Sequence, residues 1–223
     1  SEKFDSEKIL NFENYNRSLF SIVRNDDLFD LLYKKLNKNK FFKLKKKIKK
    51  EEIIIKKYDL VFNCDSNNEL SKKLFFKKID KNYKSFAHVT IIHHKKLNNN
   101  KIAIQIFTKN GPIAFLPISE TETSIVYSIK NKRYLNLEEH INKFNSKYND
   151  KCIITKIDKP IRFELKSLNL RSYHYKNVLA FGDNLHKLHP LAGQGYNMSL
   201  RDIKEILKLI KFRKKLGLPL DSS

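Results

Sequence analysis

The 223-residue chain carries 46 Lys and Arg against 24 Asp and Glu, a formal net charge of +22, with 40% hydrophobic and 12% aromatic residues. That apolar share is too high for a disordered polycation. Two cysteines, Cys64 and Cys152, exclude a disulfide scaffold and a Cys-rich zinc module, and no run approaches the roughly 20 apolar residues of a membrane span.

Only seven of the 46 basic residues are Arg. Base-reading surfaces rely on Arg for bidentate contacts, so the charge reads as a Lys-rich solvated surface without specific nucleic-acid recognition. The densest run, residues 34–50, could also attract phosphates or an anionic membrane surface. In chain order, Leu28, Leu31, Leu32 and Leu36 recur at helical spacing behind a capping Asn25 or Asp26, which predicts a helix over Asp26–Asn37. Ile53–Lys56 and Tyr58–Asn63 read as short strands, Cys64–Asn68 as a turn, and Glu69–Leu74 as a helical turn or two. Four β-rich segments follow, Ser85–His94, Ile102–Thr108, Pro112–Ile118 and Ser124–Ile129. Their short separators predict an antiparallel meander. Phe86, Phe107, Phe115 and Tyr127 lie on it, as ordinary sheet core or as a wall for an aromatic substrate. Leu137–Tyr148 reads as a helix, Ile153–Thr155 and Ile161–Leu165 as extended, and Val178–Phe181 as a strand. Tyr196 to Lys211 is the strongest helix, with Leu200, Ile203, Ile206, Leu207 and Ile210 on one face.

The chain has five glycines, and Gly182, Gly193 and Gly195 fall close together. The order there is strand, Gly182-Asp183, a loop with His186, His189 and Pro190, Gly193-Gln194-Gly195, then the strong helix. Glycine serves where φ is positive or where a ligand must touch the main chain. A glycine-lined loop feeding a helix N-terminus presents free N–H groups to an anion, and Asp183 can accept hydrogen bonds from hydroxyls. A site for a polyhydroxylated, partly anionic cofactor and a tight ligand-free strand-to-helix turn both fit. A metal site does not, because no Cys pair or acidic partner stands at ligand spacing from the two histidines.

Residues 182–202, GDNLHKLHPLAGQGYNMSLRD, resemble the second flavin motif of the class A FAD-dependent aromatic hydroxylases, and most of all that of the ubiquinone-biosynthesis hydroxylases. Gly111-Pro112-Ile113-Ala114-Phe115-Leu116-Pro117-Ile118 is similar to a strand of that family's substrate domain. The resemblance implies that Gly182 and Asp183 hold the ribityl chain of FAD, that Pro190, Gly193, Gln194 and Gly195 face the flavin ring, and that Asn197 sits by its pyrimidine edge. Asp65 would match the aspartate of the family's earlier Gly-Ala-Asp-Gly motif. Departures stand out: Asn63 and Ser66 replace that motif's glycines, Asn184-Leu185 replaces two alanines after Gly-Asp, and Arg24-Asn25-Asp26 replaces Glu-Asn-Arg. No GxGxxG occurs, and with Ser1 first this suggests that the N-terminal βαβ unit is lacking.

The expected fold class is therefore mixed α/β of the flavin-hydroxylase type. Residues 1–75 and 155–212 would form a partial FAD-binding domain, 76–154 an inserted, mostly antiparallel substrate domain, and 213–223 a tail. The resemblance implies hydroxylation of a polyprenyl-phenol intermediate of ubiquinone biosynthesis with FAD, NAD(P)H and O2, and no side chain acting as a nucleophile. It also implies a cytoplasmic enzyme in peripheral contact with the inner membrane and with a multiprotein ubiquinone-synthesis complex. Two rivals stay open. One is a non-catalytic remnant or split half needing a partner chain; the other is a Lys-rich nucleic-acid-binding protein.

Overall fold

The computed structural model describes residues 12, 18–45, 55–130, 136–187 and 194–220. Ten strands form two sheets: β1 (Val61–Asn63), β2 (Lys78–His94), β3 (Ile104–Thr108), β4 (Gly111–Pro117), β5 (Glu122–Lys130), β6 (Ile154–Ile157), β7 (Ile161–Leu170), β8 (His174–Tyr175), β9 (Val178–Ala180) and β10 (His186–Lys187). Among the described residues the helices are α1 (Asn25–Asn37), α2 (Glu69–Leu74), α3 (Leu137–Tyr148) and α4 (Gln194–Lys215), with a helical turn at 55–57 and a 3₁₀ turn at Gly182–Asn184.

The large sheet runs β10-β7-β2-β5-β4-β3, and β6 also pairs with β2. Burial alternates along β4 from Pro112 onward and through most of β5, the period-two pattern of a sheet with one covered face. Helix α3 covers that face. Its buried residues Leu137, Ile141 and Asn145 recur every four positions, so they share one stripe. The stripe meets Ile92, Ile113, Phe115, Ile125, Tyr127 and Ile129 in the main core. The Asn136 side chain caps α3 by accepting from the Glu139 N–H at 3.2 Å. On the opposite face the ladder registers align Ala87 with Phe163 and Ser128, Val89 with Ile161 and Val126, and Val126 with Ala114. These apolar side chains are half-buried to exposed there, apart from Ala87, which is buried with Ser128.

The smaller sheet has the order β1-β9-β8. Strands β1 and β9 are parallel, with Val61 opposite Val178 and Asn63 opposite Ala180. A second core of Phe75, Leu170, Val178 and Ala180 lies under it, flanked by Ile55, Val61, Leu74, Leu168 and Leu185.

Three expectations change. Residues 55–57 are helical instead of continuing a strand from Ile53, because Ile55 turns into the second core while the Asn177 amide donates to its carbonyl at 2.7 Å; residues 53 and 54 lie outside the described residues. The four β-rich segments are antiparallel but not a simple meander. Strand β2 lies beside β5 instead of β3, a Greek-key-like order. Finally, the four aromatics do not form one wall. Phe115 and Tyr127 are core residues under α3, Phe107 is 71% exposed, and Phe86 lies beneath the Arg162 guanidinium, 3.6 Å from its ring centroid. The large sheet also runs past residue 154, where the sequence suggested a domain boundary: β6, β7 and β10 all belong to it.

Candidate functional site

The parallel pairing of β1 and β9 brings two loops side by side. Chain leaving β1 at Asn63 enters the Asp65 turn; chain leaving β9 at Ala180 enters the Gly182–Asn184 turn. Parallel strands discharge their loops at the same sheet edge, where α/β folds collect ligand sites. After Asn184 the chain joins β10, which pairs with β7 at the edge of the large sheet. The turn therefore lies at the junction of the two sheets, and α4 packs against it.

Gly182 sits at φ +58, a left-handed conformation that side chains other than glycine enter only at a cost. A Cβ placed there would meet nothing within 4 Å. At Gly195, in the first turn of α4, an added Cβ likewise meets nothing within 4 Å. By contrast, a Cβ on Gly111 would fall 1.9 Å from the Ser128 carbonyl oxygen. Gly111 is thus a packing glycine, whereas Gly182 and Gly195 border open space among the described residues. The first turn of α4 carries no acidic residue, so no carboxylate of its own offsets the positive end of the helix dipole there. These features suit a group with hydroxyls and an anionic edge.

Asp183 is exposed on the turn. Its charge, after the packing around the thiol, helps push the Cys64 thiol above its ordinary range, so the two loops sense each other electrostatically. Asp65 is exposed, and its carboxylate accepts the Asn67 N–H at 2.8 Å, a local turn that orders the loop. Gln194 and Asn197 are exposed at the start of α4. Pro190, Gly193 and His189 lie outside the described residues. The Nε2 of His186 stands 3.5 Å from Asp202 Oδ2 on α4. Both atoms are buried with no hydrogen-bond partner among the described residues, so each is left to the other in tying the loop to the helix.

Beneath the loops lies a polar cluster that local sequence signals do not announce. The Asn184 amide donates to the Asn63 carbonyl at 2.9 Å, and its oxygen is 3.1 Å from the Ser71 hydroxyl. Asn63 donates to Ser71 Oγ at 2.8 Å, and Asn68 donates to Asn63 Oδ1 at 2.6 Å. Asn68 also caps α2 by accepting the Ser71 N–H at 2.8 Å. Only the cap was readable, as an Asn one position before a helix. Asn63 and Asn184, two of the departures in the sequence, thus meet in space. Arg24, another departure, pairs with Glu122 at 2.6 Å, which anchors the start of α1 to the large sheet.

A family model described as the FAD binding domain matches residues 86–213. Ubiquinone biosynthesis monooxygenase COQ6, mitochondrial, of Homo sapiens is 26% identical over 187 residues, covering 66% of this chain and 40% of that protein. The protein of the same name in Rattus norvegicus is 28% identical over 165 residues, covering 56% and 35%. The chain therefore spans 35–40% of the length of these curated relatives. Among solved structures, pqsL of Pseudomonas aeruginosa, described as a probable FAD-dependent monooxygenase, superposes with a TM-score of 0.57 at 18% identity, over 73% of this chain and 48% of that one.

Proposed function

Because this chain belongs to the FAD binding domain family, whose model spans more than half of it, we propose that it forms the greater part of a flavin site in a monooxygenase of ubiquinone biosynthesis. The substrate would be an electron-rich polyprenyl phenol, with NAD(P)H as donor and O2 as co-substrate. One observation carries this reading: the loops ending β1 and β9 lie side by side, the second packs against α4, and two glycines there border open space among the described residues.

Asp183 would accept hydrogen bonds from the ribityl hydroxyls, with Gly182 letting the main chain approach. The free N–H groups of Gln194 and Gly195 would hold the electron-rich edge of the ring, beside Asn197, with Pro190 and Gly193 completing the approach. Bound FAD would supply the oxygen chemistry. The chain's own contribution is to orient the ring, exclude water and stabilise negative charge at a helix N-terminus. The half-buried to exposed apolar side chains on the second face of the large sheet, Val89, Val126, Ala114 and Ile161, suit an apolar substrate, and the net charge of +22 favours an anionic lipid surface.

The test is FAD binding by fluorescence quenching. Asp183→Ala should weaken binding about tenfold, the scale of one hydrogen bond to a charged group, and Gly195→Trp should abolish it. Unchanged binding in both variants removes the site. A second reading, a split half that needs a partner chain, is favoured by two features: β1 is the edge strand of its sheet among the described residues, and α4 has no buried residue. Its signature is FAD binding only after mixing with a chain that supplies a strand–GxGxxG–helix unit.

A further inference from the structure

We infer that Asn184 and Ser71 are positioning residues that clamp the Asp65 loop to the Gly182–Asn184 turn, so that the two loops act as one rigid platform. The inference deepens the flavin reading and rests on it for the platform's purpose, but the clamp itself is a matter of this chain's geometry.

Asn184 is 2% exposed, Ser71 4% and Asn63 5%. Buried polar groups of this kind are costly unless they find partners, and here they find one another across the two loops. The Asn63 carbonyl accepts twice from the turn, from the Phe181 N–H at 3.0 Å and from the Asn184 amide at 2.9 Å. A carbonyl can only accept, so it fixes which end of the Asn184 amide faces it. The amide oxygen is thereby aimed at Ser71. The Ser71 hydroxyl has a single proton, which it shares between the Asp65 carbonyl and Asn184 Oδ1, while its oxygen accepts from Asn63. Ser71 thus touches the Asp65 loop through that loop's own main chain and the turn through Asn184. No apolar contact could impose the same register, because a hydrogen bond is directional. The clamp joins segments 121 positions apart.

The experiment is amide hydrogen exchange on the full chain, without flavin, followed by FAD titration. Asn184→Ala should speed exchange about tenfold in residues 64–67 as well as in 182–185, the scale of a lost buried hydrogen bond, with the β2–β5 ladder unchanged. Ser71→Ala should loosen the same two loops, and Ser71→Thr, which keeps the hydroxyl, should restore them. Exchange that rises only in the loop carrying the substitution overturns the clamp. FAD affinity separates this result from the wider reading. Coupled loops with a matching loss of FAD affinity in Asn184→Ala support the platform. Coupled loops with undiminished affinity overturn its role in holding flavin. A wild-type chain that shows coupled loops but binds no FAD, alone or with a partner chain, leaves the clamp standing and removes the flavin reading.

Discussion

Alanine placed at Gly111, Gly182 and Gly195 in turn should produce three different effects, because each glycine sits in a different physical setting. At Gly111 the new Cβ would lie 1.9 Å from the Ser128 oxygen and 3.0 Å from its carbonyl carbon, with φ at +134. The backbone strain alone is worth about 1–3 kcal/mol, and forcing the β4–β5 corner apart adds about as much again. For a chain of this size each 1 kcal/mol moves the melting temperature by about 2–4 °C. Gly111→Ala should therefore melt about 10 °C lower or fail to fold. At Gly182 only the left-handed φ of +58 is lost, since nothing lies within 4 Å. That costs about 1–2 kcal/mol, or about 5 °C. At Gly195 neither strain nor contact opposes the methyl, and a helical alanine is worth up to about 1 kcal/mol over glycine; the melting point should hold or rise. Circular dichroism melts of the three variants decide the matter. A Gly195→Ala protein that melts as low as Gly111→Ala would refute the open space beside α4, and a Gly111→Ala protein that melts with wild type would refute the tight corner.

Ile141→Ala should cost about 3 kcal/mol by chemical denaturation, because Ile141 is fully buried between α3 and the sheet and leaves a cavity. The His88 imidazole is held below its ordinary range, first by burial and then by the Arg162 charge. The unfolded chain then binds a proton at a higher pH than the folded one. Stability should fall as pH drops below the ordinary value of 6.5, and His88→Gln should flatten that part of the profile in urea melts between pH 8 and pH 5. Asp183→Asn should lower the Cys64 thiol toward its ordinary range and speed its alkylation at pH 8, because one cause of its elevation is the Asp183 charge. An unchanged rate would mean that the two loops are not neighbours.

Local signals carried much of the architecture. Helix α1 and helix α3 follow from leucine and isoleucine spacing, and β4 and β5 from alternation, since one covered face imposes a period of two. The glycine-dense stretch also stood out, because five glycines in 223 residues make any cluster conspicuous. Strand order did not. Whether β2 pairs with β3 or β5 depends on long-range packing that no short window contains, and the same is true of β7 joining the large sheet. Ile55 went astray because a β-branched residue favours strands by itself, while here its side chain is drawn into the second core. The aromatics stayed open between sheet core and substrate wall for a related reason: alternation assigns faces only once the register is known, and Phe107 falls on the face opposite the core residue Phe115. The clamp was invisible because Asn63 and Asn184 acquire meaning only as a pair.

The parallel seam between β1 and β9 has a consequence for how the molecule assembles. The residues it joins are 117 positions apart, and every strand of the large sheet except β10 is threaded between them. Closing so long a loop in a disordered chain costs about 2 kcal/mol more entropy than closing a ten-residue hairpin. The intervening β2–β7 ladder must form first to shorten the effective distance, so the candidate site is the last part to be built. Damage to the sheet would then reach the loops through the order of folding as well as through the β7–β10 pairing beside the turn.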